Sequence, residues 1–241
     1  MKKILFTITI LSVLLSNCKK KEESPNPTTA SSTLDPNTFV GVFITGTYTS
    51  NLAGTTSQFS GVTARFYHQP SSNIYQANEI TLGGVKVNND TLTNFGVMGY
   101  QLMTPTTMTS LTVDTWSVTG GNGIQSFNHA NNNPFPSCSN FNVLPDSVSK
   151  TNGYTFNINS ISNMTWGVVS FGDGVSNAFS YTLSSGTNTI NITPSQLSAM
   201  ATGTLGSINI QMQNAGTTSA SGQNFRFIKE AQIIKRLKIN P

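Results

Sequence analysis

Phe39-Val40-Gly41-Val42-Phe43-Ile44-Thr45 is the stretch whose reading decides the fold. Val40, Val42 and Ile44 alternate with Gly41, Phe43 and Thr45, and a period of two is the mark of a half-buried strand. The same alternation recurs in Val62-Thr63-Ala64-Arg65-Phe66-Tyr67. Val85 and Val87 precede Asn88-Asn89-Asp90, and Leu92 follows. Asn and Asp tolerate left-handed backbone, so a hairpin turn is expected there. Ile74–Leu82, Phe95–Met103 and Leu111–Val118 are further strand candidates, the first weaker than the others. In the last of these the alternation slips, and a bulge is expected at Asp114-Thr115. Gly120-Gly121-Asn122-Gly123 is glycine-rich but lacks the following helix and the Gly-Lys-Ser/Thr of a phosphate loop, so it reads as a strand connection.

Toward the C-terminus the pattern becomes regular. Strands are expected over Phe141–Leu144, Tyr154–Ile158, Met164–Phe171, Ala178–Leu183, Thr189–Ile192, Ile208–Met212, Phe225–Ile228 and Ala231–Ile239. Thr151-Asn152-Gly153, Gly172-Asp173-Gly174, Ser184-Ser185-Gly186 and Ala215-Gly216 read as the turns between them. Short strands at spacings of about 8–12 residues argue for a sandwich. One helix is expected, over Thr193–Met200: Thr193 caps, Pro194 suits the first turn and Gln196 closes a capping box. The linker-like Asn131-Asn132-Asn133-Pro134-Phe135-Pro136 places a boundary, giving a β-rich domain over 38–131 and a second over 132–241. A late helical turn is common in immunoglobulin-like sandwiches. Phe171-Gly172-Asp173-Gly174, with Trp166 upstream, resembles the polycystic-kidney-disease variety of that fold. The expected class is therefore all-β, one or two immunoglobulin-like β-sandwich domains.

Outward at the other end, Lys2 and Lys3 head an uncharged apolar run from Ile4 to Leu15. A basic head and a short apolar stretch make a secretory signal, since a helix rising ~1.5 Å per residue over that run is too short for a bilayer. Leu15-Ser16-Asn17-Cys18 resembles the lipobox of bacterial lipoproteins. The resemblance implies cleavage between Asn17 and Cys18 and acylation of Cys18, so that residues 1–17 are a signal peptide and the chain's partner there is a lipid bilayer. Lys21-Glu22-Glu23 resembles the export signal of bacteroidete-type surface lipoproteins, which implies an outer-membrane anchor facing the cell exterior. The Pro-, Ser- and Thr-rich residues up to 37 complete a flexible tether over 18–37.

Charged residues make up 9% of the 241, against a usual ~25%. From Ser24 onward eight basic residues face seven acidic ones. So neutral a body lacks the basic footprint of nucleic-acid binding. Lys235-Arg236-Lys238 lies on the last strand and reads as protection of a sheet edge. Besides Cys18 there is one cysteine, Cys138, so no disulfide or cysteine-based zinc site is expected in the mature body. The acids are scattered singly, and His68 and His129 stand apart without metal-ligand spacing. No cofactor and no catalytic residue is expected. Asp173 with neighbouring asparagines offers oxygen ligands of the kind calcium takes. Trp116 and Trp166 offer stacking surfaces to a sugar ring, provided that they face outward. Expected roles are non-catalytic binding of a glycan or protein, or structural support. A hydrolase whose acids are gathered only by the fold is the alternative.

Replacing Cys18 by alanine is expected to leave the precursor uncleaved and unacylated. Mass spectrometry of the amino-terminal peptide and detergent-phase partition check this; unchanged size and partition would remove the anchor from the account.

Overall fold

The computed structural model describes residues 37–52, 55–104, 113–139, 144–175 and 177–241. The signal peptide, Asn17 and Cys18, the Lys21-Glu22-Glu23 motif and the tether up to residue 36 lie outside the described residues. So do residues 111–112 and 141–143, which belong to two of the expected strands.

Chain order gives β1 (Phe39–Leu52), β2 (Thr55–Ser71), β3 (Gly84–Val87), β4 (Asp90–Thr91), β5 (Thr93–Asn94), β6 (Tyr100–Thr104), β7 (Asp114–Thr119) and β8 (Phe127–Asn131). Then follow β9 (Ser137–Ser139), β10 (Ser147–Ser149), β11 (Tyr154–Ser162), β12 (Trp166–Gly172), β13 (Ala178–Thr182), β14 (Gly186–Ile192), helix α1 (Pro194–Ser198), β15 (Gly203–Ala220) and β16 (Gln223–Asn240). The fold is all-β, with several open sheets packed as sandwiches. The largest sheet runs β13-β12-β15-β16-β1-β2-β6-β5, with β10 beside the end of β16. Strand β16 pairs antiparallel with β15 and parallel with β1 and β10. Two smaller sheets, β4-β3-β7-β8 and β14-β11-β9, complete the set.

Alternation along β16 explains the packing. Phe225, Phe227, Leu237 and Ile239 share one face, because successive side chains point to opposite sides. Phe225 and Phe227 join Phe43, Val62, Ala64 and Phe66 from β1 and β2 in a core closed by Val85, Val87, Trp116 and Val118 of the β3–β7 sheet. Leu237 and Ile239 join Val169, Phe171, Ile208, Ile210 and Met212 in a second core, closed by Phe156, Ile158, Ile190 and Ile192. Two small sheets thus cover neighbouring parts of one face of a shared sheet. Strands on both sides of residue 131 belong to that sheet.

Several local expectations have direct counterparts. Asn88 and Asn89 both adopt left-handed backbone, with φ of 48° and 73°, as a two-residue hairpin turn between β3 and β4 requires. Thr193 and Gln196 form the capping box of α1. Other expectations need correction. Ala215-Gly216 is no turn: β15 runs through it, and the reversal comes at Ser221-Gly222, both with positive φ. Ile74–Leu82 is irregular and forms no strand. The strands expected on either side of Lys229-Glu230 are one strand. The basic cluster is on no sheet edge, since β16 lies between β15 and β1; Lys235 instead bonds Asp146 at 2.8 Å and the Leu144 carbonyl at 2.6 Å. Asp114 makes no bulge. It takes a regular inward position in line with Trp116 and Val118, while Val113 is exposed.

Asp173, in the turn after β12, is buried. Its oxygens accept from the backbone N–H groups of Val175, Asn177 and Ala201 and from the Asn177 amide, at 2.9–3.1 Å. Those oxygens are spent on N–H donors rather than arranged for a calcium ion. Burial alone would raise its pKa, but the donations of Ala201, Val175 and Asn177 outweigh it and hold the carboxyl well below its usual range. A depressed native pKa stabilises above the ordinary aspartate range and is lost as pH falls below it. Asp173→Ala should therefore cost about 2–4 kcal/mol at neutral pH, and should flatten the loss of stability below about pH 4. Urea titrations across that range read both effects.

Candidate functional site

Lys229 and Glu230 are adjacent on β16 and both buried. Period two sends them to opposite faces, so each must be satisfied separately. Lys229 faces inward, at the seam between the two cores. Its Nζ lies 2.5 Å from Asp114 Oδ2, which also accepts from Thr45 Oγ1 at 2.5 Å. The Phe135 ring covers the ammonium at 4.7 Å. Burial holds the Lys229 pKa below its ordinary value, with Asp114 pulling the other way.

Glu230 faces outward, on the side of the sheet away from both small sheets. Pairing registers align Trp166, Gln213, Glu230 and Gly46 in one row across β12, β15, β16 and β1. The next row contains Val168, Gln211, Gln232 and Tyr48. Gln213 Nε2 and Gln211 Nε2 donate to Glu230 Oε2 at 2.7 and 2.9 Å. Both amides also bond the hydroxyl of Tyr75, at 3.1 and 2.7 Å. Tyr48 lies on Phe59, with ring centroids 5.0 Å apart, and its hydroxyl bonds Glu230. Gly46 makes this bond geometrically feasible: a Cβ there would stand 2.3 Å from the Tyr48 hydroxyl oxygen. Burial raises the Glu230 pKa, against the donations of Gln213, Gln211 and Tyr48. Burial also raises Tyr75 to about 12, with the Glu230 charge adding to it.

Beside this polar cluster the surface is aromatic. Trp166 is 44% exposed and Tyr75 39%. They flank Gln213, one across the ladder and the other through its hydroxyl. Trp166 is thus available for stacking. Trp116 is not, and its expected role is corrected: it is fully buried, with its ring 4.9 Å from that of Phe43, because β7 turns it into the first core.

The remaining candidates are dispersed. His68 is exposed, and its backbone N–H donates to Glu79. His129 packs on Phe227, and burial lowers its pKa. The Cys138 thiol is raised by burial and packs at the rim of the second core. Asp146 pairs with Lys235, and Asp90 closes the β3–β4 hairpin. Among the described residues no group of three or more His, Cys, Asp or Glu is placed to hold a metal ion. No described helix is long and apolar enough to cross a membrane. Sequence reasoning passed over Glu230, Tyr48 and the inward Lys229–Asp114 pair. The available signal was the adjacent charges Lys229-Glu230 set between the apolar pairs Phe227-Ile228 and Ile233-Ile234. No protein family, no curated protein and no solved structure is matched by this chain.

Because its native pKa is raised, Glu230 stabilises the fold at acid pH and loses that contribution as pH rises through the native value. Glu230→Gln keeps an oxygen acceptor for Gln211 and Gln213 without the buried charge. Denaturant titrations above pH 5 should show the variant losing less stability with rising pH than the unaltered chain. Parallel curves would mean that Glu230 carries no perturbed proton.

Proposed function

We propose that this chain is a lipid-anchored lipoprotein of the outer membrane, facing the cell exterior, and that it binds a carbohydrate without transforming it. The supports for attachment are the lipobox resemblance ending at Cys18, the Lys21-Glu22-Glu23 motif and the polar tether. On the same reading the C-terminal sandwich is an immunoglobulin-like module. The observation that carries the ligand class is the exposed Trp166 in register with Gln213 and Glu230, beside Tyr75. A pyranose presents an apolar face to an aromatic ring; Trp166 and Tyr75 offer such rings, and the buried Gln213 and Glu230 hold Tyr75 in place through its hydroxyl. The nearly neutral body suits an uncharged glycan better than a polyanion.

A glycan-array screen followed by calorimetry tests the proposal. The expected result is a binding glycan whose affinity falls ~10-fold or more in Trp166→Ala, about 1.4 kcal/mol. Circular dichroism should be unchanged, because the ring is partly exposed. No glycan bound, or binding indifferent to Trp166 and Tyr75, would overturn it.

A further inference from the structure

The seam between the cores holds more than an ion pair. Inward-facing β8 residues stack on β16 in step: Phe127 on Phe225 with centroids 4.3 Å apart, then His129 on Phe227 at 4.0 Å. Two residues further along each strand come Asn131 and Lys229. Asn131 is also the direct cross-strand partner of Asp114, whose Oδ2 lies 2.5 Å from Lys229 Nζ. All three side chains are buried. Asn131 Nδ2 and Asp114 Oδ1 are buried without hydrogen-bond partners, while Asn131 Oδ1 accepts the backbone N–H of Asn133 at 3.2 Å. Phe43, Trp116, Phe135 and Phe227 supply the apolar surroundings.

We infer that Lys229 and Asn131 form an intramolecular isopeptide bond, with Asp114 as the proton carrier. Each participant matches a requirement of the reaction. An amine attacks only when neutral, and a desolvated lysine beside a carboxylate can pass its proton across. Asp114 takes that proton from Lys229. The Nζ lone pair then adds to Cγ of Asn131. The Asn133 N–H on Oδ1 stabilises the charge that develops on that oxygen. Asp114 relays a proton from the attacking nitrogen to Nδ2, the Cγ–Nδ2 bond breaks, and ammonia leaves. One C–N bond forms and one breaks, with no oxidant or cofactor consumed. The product removes a buried ammonium, which is costly to hold in an apolar seam. It also ties the small β4-β3-β7-β8 sheet to β16 of the large one. A chain with one cysteine beyond Cys18 has no internal disulfide to make such a cross-link in an exported body.

The test is tryptic mass spectrometry of the full chain. Trypsin should release Val87–Lys150 covalently joined to Phe227–Lys235, uncut after Lys229 and lighter than the two peptides together by one ammonia. The junction should vanish in Asn131→Ala and in Asp114→Ala, with circular dichroism reporting whether each variant is folded. Val87–Lys150 at full mass, with the chain cut after Lys229, would overturn the inference. A joined pair lighter by one water would overturn it too, by placing the bond on Asp114. Persistence of the junction in Asp114→Ala would remove the proton carrier and with it the mechanism. The reading on the unaltered chain needs no variant to fold.

Discussion

Strand β16 imposes the constraint on which everything else rests: it carries two adjacent ionisable side chains through the middle of the molecule. Lys229 and Glu230 are both buried, and a strand cannot turn two neighbours to the same side. Neither can satisfy the other, so each face must provide its own partners. Burying an unpaired charge costs several kcal/mol. The inward face answers with Asp114, Thr45 and the Phe135 ring. The outward face answers with two glutamine amides and a tyrosine hydroxyl.

Those answers organise the fold at a distance. Asp114 must be inward on β7, which puts Trp116 and Val118 inward with it and fixes the register of the small sheet over the large one. Gly46 must lack a side chain so that Tyr48 can fold back toward Glu230. Gln211 and Gln213 must share a face, which leaves Ile208, Ile210 and Met212 for the second core on the other. The irregular segment bearing Tyr75 is held over the outer face, through its hydroxyl and through the bond from Arg65 to the Ile74 carbonyl. Polar satisfaction, rather than apolar burial alone, sets the register here. Slipping β16 by one residue would turn Lys229 to the outer face and Glu230 to the inner one, each away from the partners that satisfy it.

The proposed ligand surface follows from the same arrangement. Trp166 pairs with Gln213, whose amide is already oriented by Glu230 and Tyr75. A Tyr75 ring held through those hydrogen bonds does not have to be ordered when a ligand arrives, which lowers the cost of binding. The seam carries the complementary role. Its polar groups are enclosed between two apolar cores, where they meet one another and not solvent.

Periodicity by itself determined the all-β class, most strand positions, the Asn88-Asn89 and Gly172-Asp173-Gly174 turns and the capped helix, because each depends on neighbours within a few residues. It also bounded the chemistry, since charge balance and cysteine number are properties of composition. Tertiary structure decided where the charges go. Local reading broke the strand at Lys229-Glu230, where two charges interrupt the apolar pattern, and bent it at Asp114-Thr115, where the alternation slips. The partners are 115 positions apart in the chain and meet only when β7 closes over β16. The two tryptophans, alike as letters in the sequence, were likewise separated only by packing: one inside the first core, the other out on the open face beside Gln213.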